Sequence, residues 1–232
     1  DVRFSEFSSP QTGVPRTVWA AANVDGQTKP VWYIVPAFEQ PIATADLYFR
    51  FPTPNELRAA IYGGLIHGAT GIIYFAWDGW QARGGQVIGM EKDPVGDPPH
   101  PDEKPENASV ATVTQLIQSR ALWETAAQIN AELEELTPVI LAPTVGDEVA
   151  YSATTTTGTT MTPADIRALL KPHPDGGYVL LTVNIDEGVL NVDWTFPEEL
   201  SSVELLYEHR SDNLAGSGTG VAAQADEALR VR

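Results

Sequence analysis

The fold of this chain is decided by residues 50–80, RFPTPNELRAAIYGGLIHGATGIIYFAWDGW, together with the earlier run VWYIV at 31–35. VWYIV and residues 70–77, TGIIYFAW, are continuous β-branched and aromatic runs, the pattern of parallel strands buried on both faces. Between them, residues 53–56, TPNE, place a capping threonine before a proline at the first helical position, with a glutamate three residues after the cap. The pattern predicts a strand–helix–strand unit with a right-handed crossover.

The segments that follow predict a loop and a second helix. Gly68 is the predicted end of the first helix, and the glycines and prolines of residues 78–107 predict a long loop without helix or ladder. Residues 109–136 repeat apolar side chains at helical spacing, which predicts a long amphipathic helix that Pro138 ends. Its acidic finish at residues 132–135 is interpreted as a solvated face.

After Pro143 the pattern changes to short strands separated by turn residues. The turns are PDGG at 174–177, DEG at 186–188 and a Gly/Ser segment at 211–220. The predicted strands are 148–152, 166–171, 178–185, 189–196, 203–208 and 228–232. We expect an α/β domain over residues 1–143 and a small antiparallel β-sandwich over residues 144–232.

Composition excludes several classes of function. With 14 basic and 31 acidic residues in 232, the formal net charge is −17, which repels phosphate backbones and anionic lipids, so we expect no nucleic-acid partner and no membrane partner. The chain has no cysteine, which excludes disulfides and thiolate metal sites but is compatible with the cytoplasm, the periplasm or secretion. The histidines lack metal-ligand spacing, and no phosphate or dinucleotide motif is present, so no metal and no cofactor are expected.

Residues 50–80 resemble the last βα units of bacterial (β/α)8-barrel glycoside hydrolases. In that family a strand like KPVW (29–32) is the seventh, a helix like PTPNELR (52–58) follows it, and a sequence like GATGIIY (68–74) opens the eighth. Many such enzymes carry a β-sandwich directly after the barrel. The resemblance is specific over about fifty residues, and it implies a partial (β/α)8 (TIM) barrel followed by the sandwich.

The strand count leaves two alternatives open. A closed barrel has eight parallel strands, and this sequence shows two clear ones before its long helix. Either the chain is the C-terminal part of an enzyme whose barrel is completed by a companion chain or by a missing N-terminal segment, or the two-strand unit belongs to a smaller α/β arrangement. We favour the first.

Active sites of such barrels lie at the C-terminal ends of the strands, which nominates Glu39 after the first strand. The resemblance implies that Glu39 is the nucleophile of a retaining glycosidase, whose second carboxyl group lies about 5 Å away on a strand that this chain lacks. Glu39 falls somewhat later than the usual strand-end glutamate of the family. The alternative interpretation is a plain surface-loop glutamate.

Trp77, Asp78 and Trp80 form a second cluster after the second strand. Tryptophan rings stack on the apolar faces of sugars, and a neighbouring carboxylate accepts hydrogen bonds from sugar hydroxyls. Trp77 is equally compatible with a core position and Asp78 with a turn. His67, at a helix end, is interpreted as a cap.

The sequence therefore predicts hydrolysis of O-glycosidic bonds by a two-carboxylate mechanism, with Glu39 catalytic and Trp77, Asp78 and Trp80 binding a carbohydrate substrate. The alternative is a non-catalytic carbohydrate-binding or structural module.

Overall fold

A computed structural model of the chain describes most of the predicted elements. The described residues are 14–22, 29–42, 47–77, 80–82, 85–90, 113–144, 150–155, 166–184, 190–200, 203–207, 218–224 and 228–231. They fall into two compact units, one within Trp32–Ile61 and Gly71–Ala131, the other within Phe4–Val31, Tyr62–Thr70 and Glu132–Arg232. The predicted boundary at residues 143 and 144 stays a prediction.

The elements follow one another in a mixed order. The helices are α1 (Val14–Ala22), α2 (Pro54–Ile66) and α3 (Val113–Ile140). The strands of the first unit are β1 (Trp32–Pro36), β2 (Gln40–Ile42), β3 (Leu47–Phe49), β4 (Gly71–Phe75), β5 (Trp80–Ala82) and β6 (Gly85–Val87). Those of the second are β7 (Ala150–Thr155), β8 (Ile166–Pro172), β9 (Tyr178–Asn184), β10 (Leu190–Leu200), β11 (Val203–Leu206), β12 (Gly218–Gln224) and β13 (Ala228–Val231).

β1 and β4 form a two-stranded parallel sheet. Their register runs from Trp32 opposite Gly71 to Pro36 opposite Phe75. The prediction that these two runs are parallel neighbours joined through a helix is confirmed. The prediction that both strands are buried on both faces is wrong. Alternate residues of β1 are exposed, because no element in the described part of the chain covers that face.

The loop predicted from residue 78 onward contains more order than expected. β5 and β6 pair in antiparallel register, from Trp80 opposite Val87 to Ala82 opposite Gly85, so the expectation of no ladder is wrong there. β2 and β3 form a second short hairpin after β1.

Helix α2 begins as predicted with a reciprocal capping box. The amide of Glu56 donates to Thr53 Oγ1 at 3.2 Å, and the amide of Thr53 donates to Glu56 Oε2 at 2.7 Å. Arg50 binds the same carboxylate with both Nη atoms, at 2.7 and 2.5 Å. The hydrogen bond from Arg50 is the largest influence that lowers the pKa of Glu56.

The C-terminal end of α2 also matches its prediction. Gly68 follows the helix with a φ of +105°, a left-handed conformation that favours glycine, and its amide donates to the Leu65 carbonyl at 3.0 Å. His67 Nδ1 donates to the carbonyl of Gly63 at 2.7 Å, so this histidine caps the helix through a hydrogen bond and not, as interpreted, as a cation that complements the helix dipole. Burial lowers the pKa of His67, which keeps the ring neutral at pH 7.

Helix α3 continues through Pro138 to Ile140, so the prediction that this proline ends the helix is wrong. The lost hydrogen bond would have gone to the carbonyl of Glu134, an exposed residue that water can solvate. Beyond the proline, buried Val139 packs in the core. Buried Lys171 donates from Nζ to the Ala142 carbonyl at 2.7 Å, a favourable cation at a helix C-terminus. Burial lowers the pKa of Lys171.

The strands of the second unit form two antiparallel sheets, ordered β12-β10-β7 and β11-β13-β9-β8. The six predicted strands are present with shifted ends. β12 was missed, because its sequence GTGVAAQ reads as a continuation of the Gly/Ser segment. The face-to-face packing of a sandwich stays a prediction.

The core of the second unit joins β9 to the last turns of two helices. Val179 and Leu181 pack with Tyr62, Leu136 and Val139 in one buried cluster. At its edge the hydroxyl of Tyr62 donates to Glu132 Oε2 at 2.8 Å. Glu132 is therefore buried, and its interpretation as part of a solvated face is wrong; the tyrosine hydroxyl makes the burial possible. Glu134 and Glu135 are exposed as expected.

Candidate active site at the ends of β1 and β4

The candidate site lies at the neighbouring C-terminal ends of the parallel strands β1 and β4. Because the two strands are parallel, the residues after Pro36 and after Phe75 leave from the same edge of the sheet. Two main-chain hydrogen bonds extend the contact past the strands: the amide of Ala37 donates to the Phe75 carbonyl at 2.5 Å, and the amide of Met90 donates to the Ala76 carbonyl at 3.1 Å. The Phe75–Ala76 peptide bond is cis.

Glu39 is held at this edge by its main chain. It forms an isolated antiparallel bridge with Ile88, in which each amide donates to the other residue's carbonyl, at 3.0 and 2.9 Å. This bridge fixes Glu39 against the segment that follows β6. The position of Glu39 after the first parallel strand, which the sequence predicted, is thus found in the structure.

The carboxyl group of Glu39 is buried. The residue is 4% exposed, and Gln115 Nε2, near the start of α3, donates a hydrogen bond to Glu39 Oε1. The interpretation of Glu39 as a surface-loop residue is therefore wrong. One carboxylate oxygen is oriented by the glutamine amide, which leaves Oε2 as the oxygen that could attack a substrate.

Trp77 lies at the end of β4 and is 46% exposed, so the core interpretation of this residue is wrong. Its ring meets that of Trp123 of α3 edge to face, with centroids 4.5 Å apart and an interplanar angle of 73°. Trp123 is itself 39% exposed. Such a pair holds two large aromatic surfaces in place and leaves part of each available to a ligand.

Two further aromatic contacts, both made by Phe38, lie at this edge on the exposed side of the sheet. Phe38 packs edge to face on Phe75, with centroids 5.5 Å apart and an interplanar angle of 89°, and it contacts Phe49 at 6.1 Å. On the other side, Ser119 Oγ donates to the Gly89 carbonyl at 3.0 Å. Helix α3 therefore touches the site through Gln115, Ser119 and Trp123.

The remaining predicted residues are only partly described. Asp78 lies outside the described residues. The main chain of Trp80 pairs with Val87 in the β5–β6 hairpin, while its side chain lies outside the description. The structure thus brings Glu39 and Trp77 to one edge of the sheet and makes no statement on Asp78.

Sequence reasoning missed Gln115 and Trp123 as members of the site. Gln115 lies 76 residues from Glu39 in sequence, and a single glutamine at a helix start carries no local signal. Trp123 belongs to the apolar pattern of the second helix, which suggested a core position. Its exposure is visible only once the helix is placed.

Within the described ranges, no group of three or more His, Asp or Glu side chains could hold a metal ion. None of the helices in that part of the chain is both long enough and apolar enough to cross a bilayer.

Comparisons of the chain with protein-family models, with curated proteins and with solved structures found no match.

Proposed function

We propose that the chain is the C-terminal part of a (β/α)8-barrel glycoside hydrolase, with β1 and β4 as two of its parallel strands. The observation that carries the proposal is the edge just described, where a buried, oriented carboxylate follows one parallel strand and exposed Trp77, in contact with Trp123 of α3, follows the next. Carboxylates and exposed aromatic rings at the C-terminal ends of parallel strands suit sugar chemistry.

In the proposed reaction Glu39 Oε2 attacks the anomeric carbon of a glycoside. The glycosidic carbon–oxygen bond breaks, and a second carboxyl group from outside the described residues donates a proton to the departing oxygen. Water then cleaves the glycosyl ester and regenerates the carboxylate. Gln115 acts as a positioning residue, because it holds the other carboxylate oxygen.

Trp77 and Trp123 are proposed to bind the sugar. Their exposed surfaces would pack against the apolar face of a pyranose ring, which excludes water from one side of the site. Asp78 and Trp80 are proposed to contribute a hydroxyl ligand and a further aromatic surface, as the sequence suggests.

The test is Glu39→Gln in the protein at its natural length, with a panel of aryl glycosides as substrates. Loss of the nucleophile should lower kcat by at least about 1,000-fold while sugar affinity stays nearly unchanged. Glu134→Gln, the same change at an exposed position of α3, is the matched control and should leave turnover within about twofold.

A second variant separates chemistry from structure. Glu39→Ala should recover turnover when azide is added, because azide attacks the anomeric carbon as the bond between that carbon and the glycosidic oxygen breaks, giving a glycosyl azide and the aryl oxide. A carboxylate that only anchors Gln115 gives no such product. Unchanged turnover in Glu39→Gln, or loss of turnover without azide rescue, would reject Glu39 as the nucleophile.

Carbohydrate binding without hydrolysis is the second candidate function. The burial of Glu39 favours it, since a carboxylate that already accepts a hydrogen bond from Gln115 also suits a structural role. This candidate predicts that the unsubstituted protein binds soluble oligosaccharides in a calorimetric titration and releases no reducing sugar.

A further inference from the structure

Residues 88–90 lie across the ends of β1 and β4, and all three are buried. Ile88 pairs with Glu39 in the bridge that follows β1. The amide of Met90 donates to the carbonyl of Ala76, just after β4, at 3.1 Å. This segment, which we call the crossing segment, therefore links the main chain of the proposed nucleophile to the end of the neighbouring strand.

The middle of the crossing segment is held by helix α3. The carbonyl of Gly89 accepts a hydrogen bond from Ser119 Oγ at 3.0 Å. Ser119 is fully buried, so the Gly89 carbonyl depends on this hydroxyl for its hydrogen bond. A serine inside a helix often donates to the carbonyl four residues before it, whereas Ser119 donates to a residue 30 positions away in the sequence. The hydroxyl therefore connects α3 to the crossing segment.

Helix α3 holds Glu39 at two places. Gln115 lies four residues before Ser119, on the same face of the helix, and its side-chain amide donates to Glu39 Oε1. The helix therefore reaches the carboxylate through Gln115 and the main chain of Glu39 through Ser119 and the crossing segment. A carboxylate held only at its tip moves when its main chain moves, so the second attachment is needed to fix its position.

We propose that Ser119 is a positioning residue for Glu39, an inference that rests on the proposed function. By holding the Gly89 carbonyl, its hydroxyl keeps Glu39 at the distance from Trp77 at which Oε2 reaches the anomeric carbon of a bound sugar. Reacting atoms must lie about 3–3.5 Å apart, and a displacement of about 1 Å costs about 100-fold in rate. Ser119 acts only through the crossing segment, because its own side chain is buried.

The test is Ser119→Ala, assayed with the same aryl glycosides as Glu39→Gln. Without the hydroxyl, the crossing segment loses its attachment to α3, and kcat should fall at least about 10-fold. KM should change less than about threefold, because the ring of Trp77 keeps its contact with Trp123. Ser119→Cys, whose thiol is a weaker donor, should lose less than Ser119→Ala, and it carries the test if the alanine variant does not fold.

Thr125→Val is the matched control. It removes a second buried hydroxyl of α3, which donates to the Ala121 carbonyl of the same helix at 2.8 Å. Because this hydrogen bond does not reach the crossing segment, the variant should keep kcat within about twofold of wild type.

The azide reaction separates positioning from a general loss of structure. In the Glu39→Ala background no carboxylate remains to be positioned, so adding Ser119→Ala should leave azide-dependent turnover within about twofold. A hydroxyl that only stabilises the fold would cost the same factor in both backgrounds, and that result would overturn the proposal.

The remaining outcomes also decide the matter. Equal kcat in Ser119→Ala and Thr125→Val would reject Ser119 as a positioning residue, and so would a loss confined to KM. Both results require an active wild type, which distinguishes them from a failure of the proposed function. A wild type without turnover, or turnover that survives Glu39→Gln, rejects the proposed function itself and the role of Ser119 with it.

Discussion

The parallel pair β1–β4 and the antiparallel strand β9 are similar in sequence and opposite in surroundings. Neither WYIVP nor YVLLTVN carries a charge. Yet β9 is buried continuously from Val179 to Val183, whereas β1 alternates between buried and exposed residues. The difference shows that an uncharged, apolar sequence predicts a strand that can be covered on both faces, but not whether it is covered. What covers it depends on elements far away in sequence.

The largest expected effect lies in the antiparallel sheet. Leu181→Ala removes a fully packed side chain from the cluster with Tyr62, Leu136 and Val139, and we expect a loss of about 3 kcal/mol in the free energy of unfolding. Leu141→Ala, the same change at an exposed leucine, should cost less than about 0.5 kcal/mol. Urea denaturation of both variants measures the difference. Equal losses would show that Leu181 of β9 is no better packed than an exposed leucine.

A smaller loss of stability is expected when the hydroxyl group of Tyr62 or of Tyr74 is removed, one tyrosine in each unit. Tyr62 donates to buried Glu132 at 2.8 Å, and Tyr74 donates to exposed Asn130 at 2.9 Å. Tyr62→Phe should destabilise the protein by about 1–3 kcal/mol, because it removes a donor from a buried carboxylate. Tyr74→Phe should cost about 0.5 kcal/mol or less, since water replaces the lost partner. Thermal unfolding at pH 7 ranks the two, and the reverse order would contradict the assigned burial.

The smallest expected effect is at Glu56, in the first turn of α2, the helix between β1 and β4. Arg50 and the capping box lower the pKa of Glu56 below its ordinary value of 4.5. The ionised carboxylate therefore contributes stability that is complete above pH 4.5 and is lost as the pH falls through the folded-state pKa. Wild type should exceed Glu56→Gln in thermal midpoint at pH 7, and the gap should close towards pH 2. A gap that stays constant over this range would exclude the ion-pair contribution.

Local signals were sufficient for the elements around α2. The start of the helix is encoded in four adjacent residues, 53–56, and its end in Gly68, so both were predictable. The continuation of α3 past Pro138 was not, because buried Val139 and the Lys171 hydrogen bond stabilise the last turn. Glu132 was misread for the same reason, since Tyr62 lies 70 residues away.

The candidate site was predictable only in part. The position of Glu39 at a strand end follows from the order of local elements. Its partner Gln115 and the contact between Trp77 and Trp123 depend on where α3 packs, which no short stretch of sequence determines.

Lys171, which donates a hydrogen bond just past the end of α3, also fixes the direction of the chain there. A proline inside a helix removes one main-chain hydrogen bond and commonly kinks the helix. Here the ammonium group of Lys171, on β8, donates a hydrogen bond to the Ala142 carbonyl. The main chain just after α3 is therefore held in position by β8. This hydrogen bond, two residues past the last residue of α3, therefore sets the direction in which the chain leaves the helix.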